Sequence, residues 1–157
     1  MTYKFTIPGP AVPQGRPIFT LRGGRRWAVD PPKSREYKAK VRAYAQKDGR
    51  MEPIAGPVIL RIQEYRAIPK SWNKSKQAAA RSQCLLPTTR PDMDNIEKSV
   101  MDALNGLAWN DDAQVVQKFA MKVYSDDPRV VVEIEEAAPD YQDKEQRQTG
   151  VMDNGSK

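Results

Sequence analysis

The feature that most constrains the fold is a run of apolar residues at helical spacing, made up of Ile96, Val100, Ala103, Leu104 and Leu107. Residues three and four apart share one face of an α-helix, so this run predicts a helix with one buried side. Asp94 and Glu97 fit a capping box with Asp94 as the N-cap, and Asn105-Gly106 is typical of a helix end. Such a helix needs another layer of structure to cover its apolar face.

Four segments alternate apolar and polar residues or are rich in β-branched and aromatic residues, which predicts the strands of that layer. They are Tyr3–Ile7, Pro57–Tyr65, Val115–Tyr124 and Arg129–Glu135. Two more helices are predicted, one capped by Ser34 and running to about Asp48, and a short polar one over Ser71–Gln83. The segments Ile18–Leu21 and Trp27–Val29 flank two glycines, which predicts a short basic hairpin or a mobile loop. This order of elements predicts an α+β fold, with a small mixed or antiparallel sheet covered on one face by helices.

The length of 157 residues suits one compact domain, which we predict over residues 1–137. Residues 138–157 are polar and lack periodicity, and we expect a disordered tail there. No apolar run is long enough to cross a bilayer and no signal peptide is recognisable, so we expect a cytoplasmic protein with no membrane partner. Cys84 is the single cysteine, which excludes an intrachain disulfide.

The sequence contains no histidine. This excludes Ser-His-Asp and Cys-His catalysis, histidine general bases and most zinc sites. Any catalysis must therefore use carboxylates, lysine or a hard metal ion, and we expect no organic cofactor. The net charge of +6 favours a polyanionic partner, because cations placed near phosphates gain from counterion release.

Two acids and a lysine cluster where the best-defined helix begins, in the segment RPDMDNIEK over residues 90–98. Pro91 keeps the chain extended ahead of the helix, so Asp92 and Asp94 can point to the same side, and Lys98 lies one turn further on. Mg²⁺ prefers oxygen ligands and can present a bound water to a phosphodiester, with Mn²⁺ as an alternative ion. Lys98 would neutralise charge on the phosphate, assisted by the helix N-terminus.

A further acid, Asp112, follows in the segment WNDDAQVV over residues 109–116. From Asp94 to Asn105 a helix advances about 17 Å, while the six steps from Gly106 to Asp112 reach at most about 20 Å. Asp112 can therefore rejoin the first two acids if the chain doubles straight back. Otherwise it lies at the far end of the helix or completes the site of a partner subunit. Spacing alone also allows these acids to be caps and turn residues without a catalytic role.

The stretch RPDMDNIEKSVMDALNGLAWNDDAQVV, residues 90–116, resembles the signature of the RusA family of Holliday junction resolvases. The family pattern pairs a D-x-D-N-x-x-K segment with a later W-x-D-D-x-Q-V segment, and both occur here in order. The resemblance implies a RusA-like fold, a homodimer, and metal-binding carboxylates at Asp92, Asp94 and Asp112 with Lys98 as the essential cation. Asn95 and Asp111 also match the motif and are assigned supporting roles.

Basic residues interleaved with aromatic ones mark a candidate DNA surface in the first third of the chain. Phe19 and Trp27 either stack on or wedge between bases, or pack inward while the arginines are solvated. The candidate DNA-binding residues are Arg16, Arg22, Arg25, Arg26, Lys33, Arg35 and Arg90.

The leading hypothesis is a Mg²⁺-dependent, structure-specific endonuclease that resolves four-way DNA junctions by paired symmetric nicks in DNA recombination and repair. A two-fold dimer suits this task, because it supplies two sites in matched orientation. The alternatives are a non-catalytic protein that binds branched DNA, and a nuclease that acts on other branched DNA such as flaps or forks. The segment from Pro69 to Pro87 is longer than in the compact members of the family, which bears on strict junction specificity.

Overall fold

The computed structural model describes residues 1–138 of the chain. It contains three helices, α1 Pro32–Ala45, α2 Lys74–Arg81 and α3 Met93–Leu104. Its six strands are β1 Thr2–Pro8, β2 Ile18–Arg22, β3 Arg25–Val29, β4 Val58–Ala67, β5 Val115–Ser125 and β6 Arg129–Glu136. The predicted α+β class is confirmed. The tail predicted over residues 138–157 lies, beyond its first residue, outside the described part of the chain.

Four of the strands form one mixed sheet in the order β1-β6-β4-β5. Strand β6 pairs antiparallel with both β1 and β4, while β4 and β5 run parallel. The parallel pair is joined through α2 and α3, since parallel neighbours need a long crossover connection. Strands β1 and β5 are the two edges.

The core lies between this sheet and helices α1 and α3. Alternate residues of β4 are buried because successive side chains of a strand point to opposite faces. Tyr37 and Val41 of α1 meet Val100 and Leu104 of α3 over these buried strand residues in a single cluster. The apolar run that predicted α3 is buried throughout, including Leu107, which lies just beyond the end of the helix.

Strands β2 and β3 form a separate two-stranded hairpin. Gly23 and Gly24 adopt positive φ angles of 57° and 74°, the backbone that a tight two-residue hairpin turn needs. Of the two forms predicted for this segment, the hairpin is the one present. Ile18, Phe19 and Leu21 of β2 are exposed, so both faces of the hairpin are open to solvent.

Three predicted helix starts are wrong. Helix α1 begins at Pro32, because Pro31 and Pro32 fit the cap and first position, and Ser34 is instead buried inside the first turn. Helix α2 begins after Asn73, whose side chain accepts a hydrogen bond from the Lys76 backbone N–H. The N-cap of α3 is Asp92 rather than Asp94, which moves Asp94 into the first turn.

No helix within residues 1–138 has both the length and the apolar character needed to cross a membrane.

Candidate functional site

The amino end of α3 presents two unengaged carboxylates. Asp92 has the extended backbone of an N-cap, but its side chain makes no capping hydrogen bond. Asp92 and Asp94 are both exposed, and neither accepts a hydrogen bond from a described residue. The predicted capping box is wrong because Glu97 turns toward β5 and forms an ion pair with Lys118. The two acids are therefore available to an external cation, where the helix dipole also favours bound anions.

The approach to α3 is held by an ion pair that the sequence motifs do not include. Arg66, near the end of β4, donates hydrogen bonds to the carbonyl oxygens of Thr89, Arg90 and Pro91 at 2.8, 3.2 and 3.3 Å. Its guanidinium is fixed by the buried carboxylate of Glu64. Two residues of a strand thus set the position of the chain directly before Asp92. In the sequence, the signal for this pair is an acid at a position of β4 predicted to be buried, two residues before an arginine.

The N-terminal loop packs against the same end of α3. The Gln14 backbone N–H donates to the Asn95 carbonyl oxygen at 2.9 Å. Gln14, Arg90, Asp92 and Asn95 share a cavity of about 430 Å³ with prolines and an alanine of the neighbouring loops. The Oε1 atom of Gln14 is buried without a described partner. This brings the predicted supporting residue Asn95 and the predicted DNA contact Arg90 beside Asp92.

Asp30, which no sequence motif singles out, joins this site from the end of the hairpin. Its carboxylate accepts hydrogen bonds from Lys38 at 2.7 Å and Gln14 at 2.9 Å. The Lys38 hydrogen bond is the main reason that the pKa of Asp30 lies below its ordinary value, and the nearby charge of Lys98 acts in the same direction. Asp30 is therefore close to the predicted catalytic lysine, whose own side chain is exposed.

Lys38 links Asp30 to α3 through a second acid, Asp102, at 2.8 Å. Partial burial of Lys38 disfavours its charge, but the hydrogen bonds to Asp102 and Asp30 outweigh that penalty and raise the pKa of Lys38. Asp102 is thus committed to an ion pair with Lys38. The three residues clamp the base of the hairpin and α1 onto the helix that carries the motif.

Asp112 lies at the opposite end of α3 from the other two acids. The Trp109 backbone bridges to both Asn105 and Ile54, which holds the chain beside the carboxyl end of the helix. The Trp109 Nε1–H then donates to the Asp112 carboxylate at 2.8 Å. A helix of 12 residues advances about 18 Å, so Asp112 is far from Asp92 within one copy. The sequence left open whether Asp112 rejoins Asp92 and Asp94 or lies at the far end of the helix. Within one copy it lies at the far end.

The three-acid metal set predicted at Asp92, Asp94 and Asp112 is not assembled within one copy. Among residues 1–138, no three histidine, cysteine or carboxylate side chains are grouped closely enough to hold a metal ion. The donors at the amino end of α3 are of the oxygen type that Mg²⁺ prefers, but they number only two acids. A single copy therefore does not fit the predicted metal centre.

Asp111 has a structural role in the segment that carries Asp112. It caps the short 3-10 helix Asp112–Gln114 by accepting a hydrogen bond from the Ala113 N–H at 2.8 Å. Gln114 completes the capping box and also donates to the Ile54 and Gly56 carbonyl oxygens. Asp111 thus stabilises the turn itself, and Gln114 anchors the turn to the loop before β4.

The seven predicted DNA-binding residues are all exposed: Arg16, Arg22, Arg25, Arg26, Lys33, Arg35 and Arg90. Arg22 and Arg25 face each other across the tip of the hairpin, where like charges repel unless an anion lies between them. Arg22, Trp27 and Arg35 line an open concavity of about 730 Å³ between the hairpin and the first turn of α1.

The two aromatic residues of the hairpin do not pack inward. Phe19 is 69% exposed and Trp27 is 55% exposed, so that alternative is wrong for the single copy. The other two tryptophans, Trp72 and Trp109, contribute to core packing. Trp109 is fully buried, and Trp72 packs edge-on against Tyr124.

Comparison with known proteins identifies a family and a relative. The family model described as Endodeoxyribonuclease RusA matches residues 8–135. A relative from Bacillus subtilis (strain 168), named Uncharacterized protein YqaN, is 42% identical over 137 residues, which cover 86% of this chain and 96% of the relative.

Proposed function

The chain belongs to the RusA family of endodeoxyribonucleases, and we propose that it resolves four-way DNA junctions by paired symmetric nicks in DNA recombination and repair. The observation that carries the proposal is the pair of exposed, unengaged carboxylates at the amino end of α3, close to the basic hairpin. We propose that this activity takes place in the cytoplasm.

We propose that the reaction is hydrolysis of a phosphodiester and that it depends on Mg²⁺, with Mn²⁺ as a substitute. The absence of histidine supports carboxylate-based chemistry. Asp92 and Asp94 are the candidate ligands that one copy offers. Two carboxylates are too few to hold a metal ion by themselves. We therefore assign no catalytic step to a metal ion held by one copy alone.

Lys98 and the helix N-terminus would bind the scissile phosphate. Lys98 lies one helical turn beyond Asp94, and its charge is near enough to Asp30 to contribute to the lowered pKa of that carboxyl group. The first backbone N–H groups of α3 have no partners inside the helix and favour an anion. Asn95, which lines the cavity beside Asp92, supports this end of the helix through its carbonyl contact with Gln14.

The hairpin would hold the branched part of the DNA. Arg22, Arg25 and Arg26 surround its tip and suit phosphate contacts. Phe19 and Trp27 are exposed further from the tip on the same two strands and suit stacking on bases that are unpaired at a branch point. The clamp through Asp30 ties the base of this hairpin to α3, so DNA held by the hairpin lies near the acids.

The test compares a labelled four-way junction with a flap, a fork and a plain duplex, each with Mg²⁺, with Mn²⁺ and with EDTA. Wild-type protein should nick the junction in a metal-dependent manner, and Asp94→Asn should abolish cutting while binding is retained. Asp48→Asn, at an exposed site after α1, is the matched control and should cut normally. Cutting of flaps or forks in preference to the junction would replace the substrate proposed here. Binding without any metal-dependent cutting would show a non-catalytic DNA-binding protein.

A further inference from the structure

The chain between strand β4 and helix α3 carries positive charge only. Residues 65–91 contain six basic residues and no aspartate or glutamate, although the whole chain has 20 acids to 26 basic residues. Two of the six form ion pairs with acids outside the segment, and Arg90 lies beside the acids of the site. The other three, which we call the lysine patch, are exposed and form no ion pair within residues 1–138: Lys70, Lys74 and Lys76.

Helix α2, which carries two of these lysines, is fixed to the body of the protein. Ala80 of α2 packs with Ile68 and Tyr124 in a small apolar cluster of its own. At the carboxyl end of the helix, Arg81 donates hydrogen bonds to both carboxylate oxygens of Asp126, at 2.8 and 3.0 Å. The lysines therefore extend from a segment whose position is set by packing and by an ion pair.

The order of side chains along one face of β4 places α2 next to the acids. Ile62 lies in the core under helices α1 and α3. Arg66, four residues on, holds the chain directly before Asp92. Ile68, which directly follows the strand on the same face, packs on α2. Because two strand residues span about 7 Å, α2 lies just beyond the amino end of α3 on the helix side of the sheet.

Strand β5 shows the same order of contacts. Lys118 forms an ion pair with Glu97 of α3. Lys122 donates to the Thr89 carbonyl oxygen at 3.2 Å, ahead of the helix. Tyr124, two residues further on, belongs to the cluster that holds α2. Both strands thus place the core, the approach to the acids and α2 in one sequence along the sheet.

The lysine patch and the hairpin flank the acids from different sides. Helix α1, whose Lys38 clamps the base of the hairpin, packs on β1, while α2 packs on β5. These strands are the two edges of the sheet. Asp92 and Asp94 lie between them at the start of α3, which contacts both α1 and β5. DNA that passes from the hairpin over the acids would next meet the patch.

The patch suits phosphates better than bases. Trp72 packs edge-on against Tyr124 with 5.2 Å between ring centres, and the Lys76 ammonium lies 4.0 Å from the centre of the Trp72 ring. These two contacts leave little of the ring for stacking on a base. Lys74 and Lys76 also stand in the first turn of α2, where a helix disfavours cations, so the helix gains no stability from them. Their charge is free for a polyanion.

We propose that the lysine patch binds the phosphate backbone of a DNA duplex, and that in a four-way junction this duplex is an arm leading away from the branch point at the hairpin. Lysine contacts with phosphates position DNA without reading its sequence, which suits a surface that must accept any arm. The assignment to a junction arm rests on the proposed function, whereas duplex binding by the patch does not.

A salt series on plain duplex tests the surface. The combined variant Lys70→Gln, Lys74→Gln and Lys76→Gln should bind about 10-fold more weakly at physiological salt and reduce the slope of log affinity against log salt by about 2 to 3. Lys74→Gln alone should reduce the slope by about 1. Fluorescence anisotropy measures both quantities, and circular dichroism establishes that each variant is folded.

The matched control loses the same three positive charges elsewhere, in the combined variant Lys4→Gln, Lys47→Gln and Arg50→Gln. Lys47 lies over the Tyr44 ring much as Lys76 lies over Trp72. The control should keep the wild-type slope. Equal losses in the two combined variants, or a wild-type slope in the lysine-patch variant, overturn the proposal. A larger loss on single-stranded DNA than on duplex contradicts the assignment to duplex.

Hydroxyl-radical footprinting places the contact on a junction. In an Asp94→Asn background, protection should extend into one arm by about 6 base pairs from the cutting position, since about 7 Å of strand and about 12 Å of helix separate the patch from the acids. Adding the three lysine substitutions should remove this protection and keep that at the branch point. Unchanged protection of the arm overturns the junction assignment. A wild-type chain that cuts no branched DNA counts against the proposed function, while the duplex salt series decides the patch by itself.

Discussion

The buried carboxylate of Glu64 binds the guanidinium of Arg66 at two points, with Oε1 3.1 Å from Nε and Oε2 3.1 Å from the second terminal nitrogen. Glu64 is 3% exposed, so its charge is stabilised by this partner rather than by solvent. Through Arg66 the pair holds three carbonyl oxygens of residues 89–91. Two strand residues thus set the position of the chain directly before Asp92.

Glu64→Gln should lower the free energy of unfolding by about 2 kcal/mol, because a charged hydrogen bond is lost and Arg66 remains without its counter-ion. Urea denaturation measures the change. Glu135→Gln removes the partner of Arg61 at the sheet surface and should cost less than about 1 kcal/mol, since exposed pairs contribute little. Equal losses in the two variants would contradict the role given to the buried pair. Junction cutting by Glu64→Gln should also fall at temperatures where the variant is folded.

The Asp30 ion pair predicts a specific dependence of stability on acid. The pKa of Asp30 is lowered on folding, so its stabilising contribution is complete above about pH 4 and is lost as the pH falls through the folded value. Asp30→Asn should therefore be less stable than wild type at neutral pH, and the difference should shrink as the pH falls below about 4. Thermal melts from neutral to acidic pH measure this. Asp48→Asn is the control, and a difference for Asp30→Asn that is constant with pH would contradict the prediction.

The arginines at the tip of the hairpin should contribute to DNA affinity through their charge. Arg25→Ala should weaken junction binding at low salt and reduce the slope of log affinity against log salt by about 1. Fluorescence anisotropy over a salt series measures both. Arg50→Ala removes an exposed cation, paired with Glu52, from the loop before β4 and should leave the slope unchanged. An unchanged slope for Arg25→Ala would remove the hairpin tip from the DNA surface.

The aromatic residues of the hairpin should affect the preference for branched DNA over plain duplex more than the overall affinity for DNA. Trp27→Ala should weaken binding to the four-way junction by about 10-fold and binding to plain duplex far less, because only a branch point offers unpaired base faces for stacking. Competition binding measures the ratio. Leu86→Ala, also at an exposed apolar site, is the control. An equal loss on both substrates would indicate a role in the fold of the hairpin.

Trp109 should orient Asp112 through its indole N–H. Trp109→Phe keeps an aromatic ring in the core but removes the N–H donor 2.8 Å from the Asp112 carboxylate. We expect a loss of about 2 kcal/mol in the free energy of unfolding. The cutting rate of the folded variant should fall as well, because Asp112 is no longer oriented. Trp72→Phe is the matched control, because Trp72 packs against Tyr124 and contacts no acid of the site. Cutting rates are compared under conditions where both variants are folded. Similar rates in the two variants would contradict the positioning role.

Much of the fold follows from short-range pattern. The apolar spacing of α3, the alternation in β4 and the paired glycines of the hairpin predict their elements within a few residues, because each depends on local backbone geometry. The errors lie at helix starts. Asp92, rather than Asp94, caps α3 by its backbone alone, and Pro31 starts α1 ahead of Ser34. Several residues near a helix start are chemically suited to capping, and the packed chain selects among them.

The sequence by itself determined which residues are acidic, which lie in α3, and that Asp92 and Asp94 stand together at its amino end. Only the tertiary structure decided that Asp112 lies at the other end, held there by Trp109 and the loop before β4. It also decided that Glu64 and Arg66 support the motif from a neighbouring strand. Spacing along a chain limits how far two residues can be apart. The direction in which the chain returns is set by the strand order and by the core that the returning segment must fill.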